Sequence, residues 1–218
     1  MKKILIIAPH NDDEVLGVGG TIAKHVKQGD KVYICSVTIG PNSERATMIR
    51  DEALNSHRFL GITKTFFLDL PVVNLAQLPT TEINTAIENV VNEVKPNIAY
   101  IPHRGDMHID HKVVSESSMV ALRPLNNPQL EIIYAYETLS ETEWDIPSAS
   151  NAFLPNVYSE VTDTIDEKLE AMKFYKSQLY KFPHPRSLRA IKALSEYRGS
   201  TIGVEHAESF MLIRGKFN

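Results

Sequence analysis

An imidazole and three carboxylates lie within five residues, directly behind an apolar run near the start of the chain. His10, Asp12, Asp13 and Glu14 follow the run at residues 3–8. Two carboxylates about 4 Å apart repel by roughly 4 kcal/mol at an effective dielectric of about 20, so we expect a positive charge to offset them. Histidine nitrogen and aspartate oxygen are normal ligands of zinc and other divalent ions. Taken alone, the stretch equally fits a helix N-terminus, which acidic side chains stabilise.

A second polar cluster, at residues 103–111, supplies three more histidines behind another apolar run. His108 and His111 are three residues apart, so both can face one side at the start of a helix. Asp110 can accept a hydrogen bond from an imidazole N–H and fix its tautomer, a frequent arrangement around metal ligands. Two such clusters favour a shared metal site over two solvated loops.

Short β-branched runs alternate with segments of helical periodicity, and this order predicts an α/β fold: a Rossmann-like three-layer sandwich with a mostly parallel central sheet. Ligands bind at the carboxyl ends of the strands in such sheets, where both polar clusters fall. No repeat or linker is evident, which predicts one domain over residues 1–218. The predicted strands cover residues 3–8, 31–37, 65–68, 97–102, 131–136 and 209–214. The predicted helices begin near Leu16 and cover residues 44–60, 81–94, 111–122, 163–176 and 186–197.

The composition narrows the class of protein. Hydrophobic residues make up 43% of the 218 residues and charged residues 23%, as in ordinary globular domains. The net charge of −4 gives no electrostatic reason to expect nucleic acid or an anionic membrane as partner. Cys35 is the single cysteine, so we expect no intrachain disulfide and a cytoplasmic, reducing location. No apolar segment approaches the roughly 18 residues of a membrane span, and a homo-oligomer is compatible with the sequence.

The glycines behind the first cluster raise an alternative of another class, a nucleotide-binding Rossmann module without hydrolytic activity. Gly17, Gly19 and Gly20 stand where a phosphate-binding turn would lie. Their spacing is not G-x-G-x-x-G, because Ile22 occupies the position three after Gly19. The preceding carboxylates would also repel a phosphate, which makes a cation the better ligand.

Four stretches together resemble the LmbE-like (PIG-L) family of zinc-dependent de-N-acetylases. HNDDE at residues 10–14 and DMHIDH at residues 106–111 resemble the two metal signatures of the family. RDEALNSHRFLGI at residues 50–62 resembles its R-x-E-A…L-G helix, although the arginine spacing is not quite that of the family. The tail at residues 198–210 resembles its R-G…G…A-E-x-F ending. Asn11 stands where the family commonly has proline, for which we expect only a local change in loop stiffness.

The resemblance implies a metal centre and a catalytic base. His10, Asp13 and His111 would hold Zn²⁺, although another divalent metal such as iron or cobalt is compatible with the same ligands. Asp12 would be the general base, because a carboxylate beside the attacking water can take its proton and later pass one to the leaving amine.

The resemblance also implies roles for residues around the metal. His108, held by Asp106 or Asp110, would stabilise the oxyanion, and Asp110 counts with it among the catalytic residues. Arg50 and Arg104 are candidates for binding substrate, since guanidinium groups suit oxygen-rich ligands. Three polar residues near the motifs receive no firm role: Glu14, Arg198 and His206.

The implied activity is hydrolysis of the N-acetyl group of an N-acetylglucosamine-type sugar or sugar conjugate, which releases acetate. The partner is accordingly a small molecule or glycan that bears an N-acetyl group. A metal-dependent amidase that acts on a thiol conjugate or another non-sugar amide is the alternative within enzymes, because the motifs concern the chemistry and not the substrate.

Overall fold

The computed structural model describes residues 1–40 and 43–216, which form seven strands and six α-helices. The strands are β1 (Lys3–Ala8), β2 (Lys31–Ile39), β3 (Lys64–Pro71), β4 (Ile98–Pro102), β5 (Ile132–Tyr136), β6 (Val157–Glu160) and β7 (Ala207–Gly215). The helices are α1 (Asp13–Lys27), α2 (Glu44–Leu60), α3 (Thr80–Val94), α4 (Ile109–Ala121), α5 (Ile165–Met172) and α6 (Leu188–Ser200). Among these residues, no helix is both long and apolar enough to cross a membrane.

All seven strands belong to one sheet, in the order β3-β2-β1-β4-β5-β7-β6. The first five strands in this order are parallel to one another, and β7 runs antiparallel to both β5 and β6. The predicted α/β fold with a mostly parallel sheet and flanking helices is therefore confirmed. The chain order reverses between β1 and β4, and a crevice at the carboxyl ends of the strands is expected at such a point.

Strand β1 is apolar from Ile4 to Ala8 because both of its faces are covered. Ile4 and Ile6 pack into one apolar layer, while Leu5 and Ile7 pack into the layer on the other face of the sheet. All four side chains are fully buried, and burying each contributes about 1.5–3 kcal/mol. A nearly continuous apolar run is typical of a parallel strand buried on both faces.

The glycines of α1 serve helix packing. A Cβ on Gly17 would overlap the ring of Tyr136 in β5, and one on Gly20 would lie 2.9 Å from Val161 Cβ. Tyr136 and Val161 are themselves buried and have little room to move. The glycines therefore let α1 approach its neighbours closely, which removes the main argument for a phosphate-binding turn.

A buried ion pair clamps the middle of α1. Glu208 accepts hydrogen bonds from the backbone N–H groups of Gly20 and Thr21, at 2.9 and 2.8 Å. Lys168 donates to Glu208 at 2.6 Å and to the carbonyl oxygen of Leu16 at 2.7 Å. The acidic residue of the C-terminal motif thus joins α1, α5 and β7.

The second half of the chain differs most from the sequence prediction. Strand β6 was not predicted, because it is a partly exposed, four-residue edge strand that pairs only with β7. The helix predicted over residues 163–176 ends at Met172. The chain continues in hydrogen-bonded turns, which place the fully buried Tyr175 beside Glu14.

Candidate metal centre and active site

Two loops at the carboxyl edge of the sheet carry the polar clusters. The first leaves β1 at Ala8 and enters α1 at Asp13, and the second leaves β4 at Pro102 and enters α4 at Ile109. Because β1 and β4 are parallel neighbours, both loops emerge at the same end of the sheet. The topology thus brings residues about 100 positions apart in the chain into contact.

Three of the predicted ligands form a nearly regular triangle of donor atoms. Asp13 Oδ2 lies 3.3 Å from His10 Nδ1 and 3.1 Å from His111 Nε2. The two imidazole nitrogens are 3.3 Å apart. A tetrahedral zinc site with bonds of about 2.0–2.1 Å has neighbouring ligand atoms about 3.3 Å apart, so the triangle has the size that a bound ion requires.

Two further carboxylates decide which way the imidazole protons point. Asp106 Oδ2 lies 2.8 Å from His111 Nδ1, and Asp110 Oδ2 lies 3.3 Å from His10 Nε2. An ionised carboxylate only accepts hydrogen bonds, so each ring donates outward and turns a lone pair toward Asp13. The second oxygen of Asp13 is buried and has no hydrogen-bond partner among the described residues. This donor set fits a divalent metal ion.

The charges around the triangle attract positive charge. Burial lowers the pKa of His111, but the carboxylates of Asp13 and Asp106 outweigh it and raise that pKa to about 10. Burial raises the pKa of Asp13, yet His111 and His10 hold it well below its usual range. Asp13 therefore stays ionised, and the carboxylates favour positive charge at the triangle; a bound metal ion would supply that charge in place of the extra proton on His111.

Asp12 is not part of the triangle and binds an arginine instead. Its Oδ2 accepts from Arg186 Nη1 at 3.0 Å, and Arg186 also contacts Glu141 at 3.3 Å and Ser140 Oγ at 2.8 Å. Burial raises the pKa of Asp12 to about 7, against the lowering effect of Arg186. Within residues 1–40 and 43–216, Asp12 Oδ1 has no hydrogen-bond partner, so it is free to bind a ligand.

His108 caps α4 and stands beside the triangle. Its Nδ1 accepts the backbone N–H of Asp110 at 3.1 Å, so the neutral ring carries its proton on Nε2 and can donate from there. Burial and the neighbouring His10 lower the pKa of His108 to about 4, which keeps the ring neutral. The two rings meet edge to face with centroids 4.4 Å apart.

Asp106 and Asp110 hydrogen-bond to other histidines than the one predicted from the sequence. The sequence predicts Asp106 or Asp110 as the partner of His108, but Asp106 binds His111. Asp110 Oδ2 is 3.9 Å from His108 Nδ1 and makes shorter contacts with His10 and with the backbone N–H of Val73, at 3.3 and 2.6 Å. Asp110 therefore orients His10 and fastens the loop after β3.

A cavity of about 410 Å³ opens beside these groups. It is lined by His10, Asp12, His108, Arg186, Arg45 and Gln178, among others. The predicted substrate residue Arg50 lies in an adjoining cavity of about 570 Å³, paired with Asp69 and 4.3 Å above the ring of Phe67. Arg104 is exposed and pairs with Glu116 at 2.9 Å. The structure brings neither arginine to the triangle.

Four polar residues near the site were either not named as site residues in the sequence prediction or were named without a functional role. Arg186 and Glu141 lie outside every motif, and the sequence predicts Arg186 only as the first residue of a helix after a proline-rich break, whereas α6 begins at Leu188. Arg198 binds Glu137 with two hydrogen bonds of 2.9 and 2.6 Å, and His206 contacts Ser195 Oγ at 2.9 Å. Arg198 and His206 therefore have structural partners.

Comparison with known proteins gives the family. The GlcNAc-PI de-N-acetylase (PIG-L) family matches residues 5–122, more than half of the chain. The uncharacterized deacetylase YaiS of Escherichia coli K12 is 31% identical over 185 residues, which cover 81% of this chain and 91% of that protein. The diacetylchitobiose deacetylase of Thermococcus kodakarensis is 26% identical in an alignment of 231 positions, which covers 100% of this chain and 85% of that protein.

The fold comparison agrees with the sequence comparison. The crystal structure of the conserved protein TT1542 from Thermus thermophilus matches with a TM-score of 0.79 and 25% identity. The match covers 100% of this chain and 97% of that one. Both comparisons include the two polar loops and the sheet that positions them, and the chain belongs to the PIG-L (LmbE-like) family of deacetylases.

Proposed function

We propose that this protein is a zinc-dependent N-deacetylase that removes the acetyl group from an N-acetylglucosamine-type sugar or sugar conjugate. The triangle of His10, Asp13 and His111 beside the partly free carboxylate of Asp12 carries the proposal. The substrate class is supported by the similarity to a diacetylchitobiose deacetylase. The cytoplasmic location, a homo-oligomer and a single domain over residues 1–218 stay predictions from the sequence.

The triangle residues would hold the metal through one atom each: His10 Nδ1, Asp13 Oδ2 and His111 Nε2. A bound divalent ion supplies Lewis acidity toward water and toward an amide carbonyl. Asp106 and Asp110 keep the two imidazoles in the tautomers that ligation requires. Zinc suits this mixed set of nitrogen and oxygen ligands, and iron or cobalt would also fit it.

Asp12 moves the protons of the reaction. Its Oδ1 takes a proton from water as the water oxygen bonds to the acetyl carbonyl carbon. The same carboxyl then gives that proton to the nitrogen as the C–N bond breaks, so the products are acetate and an amine. Arg186 binds Oδ2 at 3.0 Å, so Oδ1 remains available for proton transfer.

His108 stabilises the charge that develops on the carbonyl oxygen. Because Nδ1 is occupied by the backbone N–H of Asp110, the Nε2–H of the neutral ring is the available donor. Removing a donor of this kind costs about 10²–10³ in kcat in other hydrolases. Arg50 and Arg104 stay predictions as substrate-binding residues, and Arg45 joins them because it lines the cavity.

The decisive experiment is an acetate-release screen combined with metal analysis. Free N-acetylglucosamine is compared with its oligosaccharide, lipid-linked, nucleotide-linked and thiol-conjugated forms, and with simple N-acetyl amines that lack a sugar. We expect about one zinc per chain and release from at least one sugar substrate. Release only from the sugar-free amides would favour the amidase, and purified protein without metal or activity would refute the proposal.

Asp12→Asn tests the base. We expect the variant to retain its metal and to lose most acetate release, about 10²-fold or more. Asp166→Asn is the matched control, because Asp166 is an exposed aspartate on α5 outside the cavity. Unchanged turnover in Asp12→Asn would show that another group is the base.

A further inference from the structure

Asp12 has a backbone conformation that L residues rarely adopt, with φ 135° and ψ −25°. Strain of this kind persists only where surrounding contacts hold it. Its carbonyl oxygen accepts from Val15 and Leu16 at 3.0 and 2.9 Å, at the start of α1. Its backbone N–H donates to Glu14 Oε2 at 3.1 Å. Glu14 therefore secures the N–H side of the strained residue.

Glu14 is itself held by groups from distant parts of the chain. Its side chain is buried, and Oε1 contacts the Tyr175 hydroxyl and, at 3.1 Å, His57 Nε2. The other nitrogen of His57 lies 2.8 Å from the Thr65 hydroxyl. Because an ionised carboxylate only accepts hydrogen bonds, the ring proton of His57 is on Nε2 and points at Glu14, and Nδ1 accepts from the Thr65 hydroxyl. The carboxylate thus receives three donors and is fixed in place.

We propose that Glu14 is a positioning residue for the general base. Asp12 and Asp13 are neighbours in sequence, yet Asp12 binds Arg186 at the cavity while Asp13 completes the triangle. The hydrogen bond that the Asp12 N–H donates to Glu14 holds the backbone turn that separates the carboxylates of Asp12 and Asp13. Without it, Asp12 relaxes to an ordinary φ, and its carboxylate leaves the position from which it reaches water. This inference rests on the proposed function, in which Asp12 is the base.

The expected result differs from that of a purely structural role. Glu14→Met keeps the length of the side chain but offers no oxygen to the Asp12 N–H. We expect kcat to fall about tenfold or more, because small displacements of a catalytic group cost up to about 100-fold. The zinc content and KM should stay within about twofold of wild type, since the three ligand atoms are untouched.

A conservative variant should restore activity. Glu14→Gln still offers one oxygen to Asp12, because the Tyr175 hydroxyl can turn to accept the amide N–H and His57 can change tautomer. We therefore expect Glu14→Gln to recover most of the kcat lost in Glu14→Met. Should Glu14→Met fail to fold, Tyr175→Phe removes one donor from Glu14 and should still lower kcat. Tyr136→Phe is its control, because that buried hydroxyl binds the carbonyl oxygen of Ile7 instead.

Crystal structures of wild type and Glu14→Met give a readout independent of activity. We expect φ of Asp12 to leave the positive region in the variant only. An unchanged φ, an unchanged kcat in both Glu14→Met and Tyr175→Phe, or zinc loss in proportion to kcat would overturn the inference. Absence of acetate release by the wild type would instead refute the proposed function, while the φ comparison would still decide the role of Glu14.

Discussion

Asp106 offers a test of the proposed metal centre that leaves all three proposed ligands in place. Its carboxylate is fully buried, with Oδ2 2.8 Å from His111 Nδ1 and Oδ1 2.6 Å from the Thr142 hydroxyl. In Asp106→Ala, nothing holds the ring proton of His111 on Nδ1, so the proton can move to Nε2 and block ligation. Loss of such a partner weakens metal binding about 10–100-fold, which corresponds to about 1.4–2.8 kcal/mol.

The measurement is the dissociation constant for zinc, obtained by competition with a chelating dye at fixed pH. Glu52→Ala is the control, because Glu52 is a buried carboxylate that binds the backbone N–H and hydroxyl of Ser177 at 3.0 and 2.6 Å. We expect Asp106→Ala to weaken binding and Glu52→Ala to leave it unchanged. Equal affinity in Asp106→Ala and wild type would refute the argument that Asp106 sets the tautomer of His111.

Three further predictions concern stability. Gly17→Ala should lower the free energy of unfolding in urea by about 1–3 kcal/mol, because the new methyl group overlaps Tyr136. Lys168→Met should cost about 3–5 kcal/mol by leaving Glu208 charged and unpaired, and the double variant with Glu208→Leu should cost less than the sum of the two single changes. Burial lowers the pKa of His25 below 6.5, so its neutral form stabilises the fold above that pH and the contribution is lost on acidification. The Tm of His25→Asn should therefore fall less between pH 7 and pH 5 than that of wild type.

The parts of the fold that follow from local pattern could be predicted from the sequence. The strand predicted over residues 3–8 and the helix predicted over residues 44–60 coincide with β1 and α2. Their signals are a continuous apolar run and a regular spacing of apolar residues, ended by Gly61 in a left-handed conformation. The meeting of the two polar loops was also predictable, because parallel strands end at one edge of a sheet.

The groups that surround the proposed base, Asp12, could not be predicted from the sequence. Arg186 binds Asp12 across 174 positions of the chain, and Tyr175 binds Glu14 across 161. No periodicity or short motif encodes a pair so far apart, and nothing local marks Arg186 as more than the first residue of a predicted helix. Such contacts follow from how α5 and the segment after it pack on α1, which only the structure shows.

The crowding of carboxylates behind β1 is resolved by the whole fold. Side by side in water-poor surroundings, two such groups would repel by roughly 4 kcal/mol, yet each here has different partners. Asp12 binds Arg186, Asp13 faces the two imidazoles of the triangle, and Glu14 takes donors from α2 and the segment after α5. Because each acid has partners from a different part of the chain, a compact motif can hold a proposed ligand, a proposed base and a support side by side. Burial, together with repulsion from Asp13 and Glu14, still raises the pKa of Asp12. The arrangement of residues 10–14 therefore depends on a fold that brings three separate sets of partners to the turn between β1 and α1.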